Sequence, residues 1–263
     1  MRITALVENK SACELKPKHG LSLYIETKRH KILFDLGPDN TLIENSKMKH
    51  IDLRGIDTVV ISHGHTDHGG ALAAFLQINK TAKVYVQRRA FEKHYGKYLF
   101  FKVNIGLDPK LKNHPQVVLA DGDFQIDDEL ALFTVKNASE CCSSANDTLY
   151  AAKGRDDFSH EQNLLIRGEH NVLILGCGHT GIVNIMQRAA EHHPKVCVGG
   201  FHLFNPSTKK TVSYKLLDSI SERIRAYDTT FYTCHCTGIE AFRYLSERVD
   251  NIVYLSCGET IEA

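Results

Sequence analysis

Apolar and polar positions along this chain sort into short runs of strand length, broken by a few stretches of helical period. Residues 2–8, 21–27 and 31–35 alternate or run apolar, with His19-Gly20 and Arg29-His30 as turns, which predicts an opening β-meander ahead of any long helix. Residues 39–49 carry a weak helical pattern behind Asp39 or Asn40 as cap. Asp57–Ile61, β-branched and almost uncharged, predicts a buried strand, and residues 70–76 predict the start of a helix. Strands follow at 83–87, 116–119 and 129–135, then a hairpin-like pair, 164–166 and 172–175, around Gly168. A helix over 183–192, strands at 195–200 and 230–233, and a last helix through Leu245 complete the pattern. No linker interrupts it, so a single domain spanning residues 1–263 is expected.

Residues 88–115 break the rhythm. Arg88, Arg89, Lys93, Lys97, Lys102, Lys110 and Lys112 interleave with Phe91, Tyr95, Tyr98, Phe100 and Phe101. This marks an insertion, either a lid whose aromatics stack on a ring while its lysines meet an anion, or a surface excursion packed on the body of the fold.

Composition narrows the setting. With 43% hydrophobic residues the chain can bury a sizeable core. Lys plus Arg number 32 against 31 Asp plus Glu, so no long-range pull towards nucleic acid or an acidic membrane is expected, and any charge preference is local. No run of 18 apolar residues occurs, and residues 1–8 lack the apolar core of a signal peptide, so a cytoplasmic location is expected. Eight cysteines then read as reduced thiols rather than a disulfide framework. Nothing in the sequence speaks to oligomeric state.

The chemistry concentrates in Ser62-His63-Gly64-His65-Thr66-Asp67-His68-Gly69-Gly70, between the predicted strand and helix. While the backbone stays extended, His63 and His65 project the same way, and the following turn lets Asp67 and His68 aim at a second point. Imidazole and carboxylate donors suit a borderline divalent ion, zinc first, with iron, manganese or magnesium as alternatives, one or two ions in number. This His-x-His-x-Asp-His run after an apolar strand resembles the signature of the metallo-β-lactamase fold superfamily. The resemblance implies an α+β fold, an αββα sandwich, with metal at one sheet edge. It also implies that Asp35, in Leu33-Phe34-Asp35-Leu36-Gly37, orients the metal histidines rather than ligating; read from the residues alone, Asp35 could equally open a turn before Gly37-Pro38.

A local plan recurs later in the chain. The 172–175 strand runs into Gly176-Cys177-Gly178-His179-Thr180-Gly181-Ile182, and the 230–233 strand into Cys234-His235-Cys236-Thr237-Gly238-Ile239, each followed by a helix. If these strands are neighbours, their carboxyl ends bring the histidines to one edge, where α/β sheets place ligands. His63, His65 and His179 are therefore expected at one ion, and Asp67, His68 and His235 at the other. His160 could instead fill the middle position, which would put His179 in place of a bridging group; otherwise His160 and Glu161 stand as further ligands or as groups that support the ligands from behind. Superfamily members that hydrolyse through two metals usually place a bridging aspartate where this chain has Cys177, so Cys177 is a further candidate ligand.

Asp156-Asp157-Phe158 with Glu161-Gln162, the Gly176–Ile185 stretch, Gly199-Gly200-Phe201-His202-Leu203 and His235-Cys236-Thr237-Gly238 resemble one branch of that superfamily, named for a dihydropterin ribofuranosyl-aminobenzene phosphate synthase. The resemblance implies metal-assisted chemistry on a phosphorylated or pterin-like, hence anionic, small molecule. Asp67 would position the attacking group, Gly200 and His202 would hold phosphate, and His202 would act as acid or base. Two alternatives stand beside it: a binuclear hydrolase of phosphoester or related bonds, and a non-enzymatic metal- and thiol-dependent binding or redox-sensing module supported by the cysteines near the site.

Overall fold

The aliphatic runs build two seven-stranded sheets in a computed structural model that describes residues 1–263. The first sheet has the order Thr260–Glu262, Arg2–Val7, Ser22–Glu26, Lys31–Phe34, Thr58–Ile61, Lys83–Gln87, Val117–Ala120. Its meander half is antiparallel, and from Lys31–Phe34 outward it is parallel. The second sheet repeats the plan, with Ile252–Tyr254, Thr230–Thr233, Val196–Gly199 and Val172–Ile174 parallel, then Asn163–Ile166, Leu130–Phe133 and Phe124–Gln125 antiparallel.

Helices cover the outer faces: α1 (Thr41–Met48), α2 (Thr66–Gly69) and α3 (Leu72–Ile78) accompany the first sheet, and α4 (Ile182–Ala189), α5 (Tyr214–Ile224) and α6 (Ile239–Ser246) the second. Strand alternation decides which residues meet which layer. Val60 points inward with Phe34, Leu164, Ile174 and Val198, between the sheets. Its neighbours Val59 and Ile61 point outward onto Leu72 and Phe75 of α3. Leu173 likewise turns outward towards Ile185, Leu217 and Leu245 on the helices of the second half. Three buried layers result, the αββα arrangement, and both faces of the parallel strands are covered, which is why they read as near-continuous apolar runs.

The Arg88–Pro115 stretch forms a hairpin, His94–Tyr98 with Phe101–Asn104, flanked by short 3-10 turns. It does not stand free. His94–Tyr98 pairs with Leu149–Ala151, itself paired with Gly154–Arg155, so the insertion joins a four-stranded sheet contributed by both halves. The sequence pattern also passed over α5. Leu217, Ile220 and Ile224 face inward, but the fourth buried position is Ser221, which donates to the Asp218 carbonyl at 2.8 Å and thins the apolar stripe.

Candidate metal centre

Every parallel strand that matters ends at the same edge. Thr58–Ile61 delivers His63 and His65, Val172–Ile174 delivers Cys177 and His179, Val196–Gly199 delivers His202, and Thr230–Thr233 delivers His235. The sheets close tightly there: a side chain at Gly176 would run into the Ser62 hydroxyl. Gly181 and Gly238 open α4 and α6 with nearly the same backbone, φ 89 and ψ 127 in one and φ 76 and ψ 147 in the other. The recurring Thr-Gly-Ile therefore marks a turn that an L-residue disfavours.

His63 Nε2 lies 3.0 Å from His65 Nδ1 and 3.3 Å from His179 Nε2. On the other side, His68 Nε2 lies 3.2 Å from His235 Nε2, and the Asp67 carboxylate lies 3.3 Å from His235 Nε2 and 3.8 Å from His68 Nε2. The six side chains expected at two ions thus gather as two groups of three.

Partners on the far side of four of the five rings, all but that of His65, fix which nitrogen faces inward. The Ser62 hydroxyl accepts from His63 Nδ1 at 2.8 Å and donates to Asp35 Oδ2 at 2.7 Å. Asp35 also accepts from the Ser62 amide at 2.7 Å and from His68 Nδ1 at 2.6 Å, so it orients both halves of the motif without entering the site. The two later histidines are held by matching devices. For His179, Asn146 Oδ1 accepts from Nδ1 at 2.9 Å and Glu161 accepts from the backbone amide at 2.7 Å. For His235, Asn9 Oδ1 accepts from Nδ1 at 2.9 Å and Glu8 accepts from the backbone amide at 2.7 Å. In each case Nε2 is left as a lone pair aimed at its neighbours.

Burial, reinforced by neighbouring imidazoles, holds His63, His65 and His179 well below the ordinary histidine pKa, so all three are neutral near pH 7. Burial also lowers His68, but Asp35 and Asp67 outweigh it and raise the group to about 9. Burial pushes the Asp67 carboxyl up; His68, His235 and His19 outweigh that and hold it well below the usual carboxylate range. His63 and His179 both carry their proton on Nδ1, so their Nε2 lone pairs, 3.3 Å apart, cannot satisfy one another by hydrogen bonding, and His65 Nε2 is buried with no partner. Nitrogens bound tetrahedrally to zinc at about 2.0–2.1 Å stand about 3.3 Å apart, so the donor set and its spacing fit a divalent cation.

Cys177 sits between the groups. Its Sγ is 3.1 Å from His68 Nε2, and it falls into possible donor sets with His63 and His68 and with His235 and Cys236. Burial drives the Cys177 thiol up, whereas Cys236, despite its own burial, is drawn down by the Cys177 thiol and by His202. All eight cysteines are free.

His160 and Glu161 take the supporting alternative, and the expectation for Gly200 changes. His160 has both ring nitrogens engaged away from the ligands: Nδ1 accepts from the Gly64 amide at 2.9 Å, and Nε2 lies 3.2 Å from Asp156. It props the peptide between His63 and His65 rather than competing for the middle position. Glu161 is likewise spent on backbone, taking the His179 and Thr180 amides. Gly200 offers no free amide to a phosphate, because its N–H donates to the Gly176 carbonyl at 2.8 Å; its missing side chain instead admits the Cys236 sulfur. His202 does reach the site. Its ring lies 4.1 Å from that of His179, and neither ring nitrogen has a protein partner although the residue is buried.

The groups open into a cavity of about 410 Å³ whose polar end holds His19, Asp67, His202 and His235 and whose walls include Tyr98, Leu149 and Phe204. His19, 3.4 Å from the Asp67 carboxylate, has no counterpart in the sequence reading, nor do Glu8, Asn9 and Asn146. The one signal for Glu8 is its place at the end of an apolar strand, where Asp35 also stands.

Comparison with known proteins follows the same lines. The sequence model described as the Metallo-beta-lactamase superfamily matches residues 15–138. An uncharacterized protein of Methanocaldococcus jannaschii, MJ0448, is 27% identical over 98% of this chain and 99% of its own. The 7,8-dihydropterin-6-methyl-4-(beta-D-ribofuranosyl)-aminobenzene-5'-phosphate synthase of the same organism is 25% identical over 93% of this chain and 90% of its own. Among solved structures, Tm1679, described as a metal-dependent hydrolase of the beta-lactamase superfamily, superposes with a TM-score of 0.84 at 26% identity, covering 100% of this chain and 99% of its own.

Proposed function

We propose that this chain is a metal-dependent enzyme of the metallo-β-lactamase superfamily, holding zinc ions at the two histidine groups and acting on a phosphorylated or pterin-like small anion. The observation that carries the reading is the convergence of His63 Nε2, His65 Nδ1 and His179 Nε2, with the nitrogens of His63 and His179 facing each other as lone pairs at 3.3 Å. Divalent ions held there would polarise an ester or phosphoryl oxygen and lower the pKa of water.

The chain's own residues do the rest. Asp67, with a quarter of its side chain open to the cavity, accepts a hydrogen bond from an attacking group and sets its direction. His202 presents two unpartnered ring nitrogens on the cavity wall, suited to an anionic oxygen or to proton transfer to a leaving group. Asp35, Asn9 and Asn146 hold the imidazoles in one tautomer each, so the site is organised before substrate arrives.

Hydrolysis is the second reading, supported by the whole-chain likeness to Tm1679. The test begins with elemental analysis of the purified protein. Metal-loaded protein is then offered phosphomonoesters and phosphodiesters, and separately a dihydropterin pyrophosphate with an aminobenzene riboside, with products followed by mass spectrometry. Turnover that Asp67→Asn abolishes is expected in one arm, and the arm identifies the reaction. Intact reactants in both arms, with the metal bound, would remove the proposal.

A further inference from the structure

The apolar wall of the cavity does not end at its mouth. Gly96, Tyr98 and Leu149 line the cavity, and strand pairing sets Leu149 and Val103 opposite Gly96 and Phe101 opposite Tyr98. Directly opposed residues of an antiparallel pair project from the same face. Val103 and Phe101 therefore carry that face outward onto the hairpin, 42% and 61% exposed. Gly96, between Leu149 and Val103, is buried beneath the Tyr98 ring and Ile105, so the Tyr98 ring itself carries the cavity wall towards Phe101. The lysines stand on the other face, Lys97 opposite Lys102, with the Lys102 ammonium 3.8 Å over the Tyr150 ring.

The hairpin tip points the same way. Leu99 sits at φ 51, a turn position that suits glycine, and Leu99 and Phe100 are 81% and 97% exposed. A second copy is a poor occupant. The outer strand, Phe101–Asn104, is an open edge of only four residues, and antiparallel self-pairing in the register centred on Lys102 would bring that lysine against its counterpart. The continuity with the cavity favours a ligand that enters the cavity.

We propose that this face is a subsite for the aryl arm of the substrate, whose anionic end lies at the ion site. The inference rests on the proposed metal and anion chemistry and adds the class of molecule: an anion carrying an extended aromatic arm that runs from the cavity along the Tyr98 ring to Phe101 and Val103.

The test is a binding series on the zinc-loaded full chain with methylphosphonate, phenylphosphonate and 4-biphenylphosphonate, measured calorimetrically. The biphenyl compound is expected to bind about tenfold tighter than the phenyl one, the value for one ring covered on one face. In the double variant Phe101→Ser, Val103→Ser that gain is lost while phenylphosphonate binding changes less than about twofold; both residues are exposed, and an unchanged melting temperature shows the variant folded. Equal biphenylphosphonate affinity in wild type and variant would overturn the subsite. So would sedimentation showing a wild-type dimer that the variant dissolves, because the face would then be covered by a second copy. If the phosphonates bind without a length preference, the subsite alone falls. If none binds, the ion-site reading falls and takes the subsite with it.

Discussion

Replacing Asp35 by asparagine tests how the centre is held together. The Asp35 side chain is inaccessible to solvent and accepts from the Ser62 amide, the Ser62 hydroxyl and His68 Nδ1 at 2.6–2.7 Å. Asparagine keeps one acceptor, which the Ser62 amide retains, but turns an NH2 group towards His68 Nδ1. Two donors then face each other, and relief comes when His68 moves its proton from Nδ1 to Nε2, the nitrogen 3.2 Å from His235 Nε2. The ligand lone pair is thereby blocked. Loss of an outer partner of this kind typically costs about 10- to 100-fold in metal affinity, equivalent to about 1.4–2.8 kcal/mol. Competition titration with a zinc chelator, two equivalents resolved where possible, measures it, with the circular dichroism spectrum as a check on folding. The second equivalent should weaken more than the first, because His68 belongs to the Asp67–His235 group. A folded Asp35→Asn protein whose two affinities both lie within twofold of wild type would refute the reasoning.

Metal-free protein should lose stability as pH falls. His63, His65, His160 and His179 all have folded pKa values below the ordinary 6.5, so below that pH the unfolded chain binds protons the folded one does not, each group contributing a slope of up to about 1.4 kcal/mol per pH unit. His68, raised to about 9, has the opposite sign: its contribution is complete below 6.5 and fades as pH rises through 9. Melting temperatures of the metal-free protein should therefore peak near neutrality, and a flat profile from pH 5 to 7 counts against the buried neutral imidazoles. In cobalt-substituted protein, Cys177→Ser should remove the sulfur-to-metal charge-transfer absorption while Cys236→Ser keeps it, given that Cys177 Sγ is the sulfur 3.1 Å from His68 Nε2; the reverse result would assign the thiolate to Cys236. Asp156→Ala strands two buried imidazoles, His94 at 2.8 Å and His160 at 3.2 Å, and should cost about 2–5 kcal/mol in urea unfolding; an unchanged midpoint contradicts this.

What could be read from the sequence was what lies close along the chain. His63, His65, Asp67 and His68 are local, and the strand before them fixes their direction. His179 and His235 came from a recurring turn whose glycines hold positive φ, a constraint that leaves its mark on the sequence. Glu8, Asn9 and Asn146 left no such mark, since common polar residues reach the site only through tertiary packing. The hairpin at 94–104 escaped because its turn is Leu99-Phe100, without the glycine or asparagine that ordinarily announces one. His160 stayed open between ligand and support because its type and neighbourhood suit either, and only its partners, the Gly64 amide and Asp156, decide for support.

The anchoring of His235 has a bearing on biosynthesis. Its backbone amide is gripped by Glu8, 227 positions earlier, and Glu8 is in turn bonded by the Tyr254 hydroxyl, 246 positions later than itself. On the ribosome the first half can collapse early, yet the Tyr254 bond that braces Glu8 against the His235 amide forms only once the strand bearing Tyr254 has been made and set beside its neighbour. The frame of the Asp67–His235 group is therefore completed late in synthesis, and a chain interrupted before Tyr254 would lack the brace that holds Glu8 against the His235 amide.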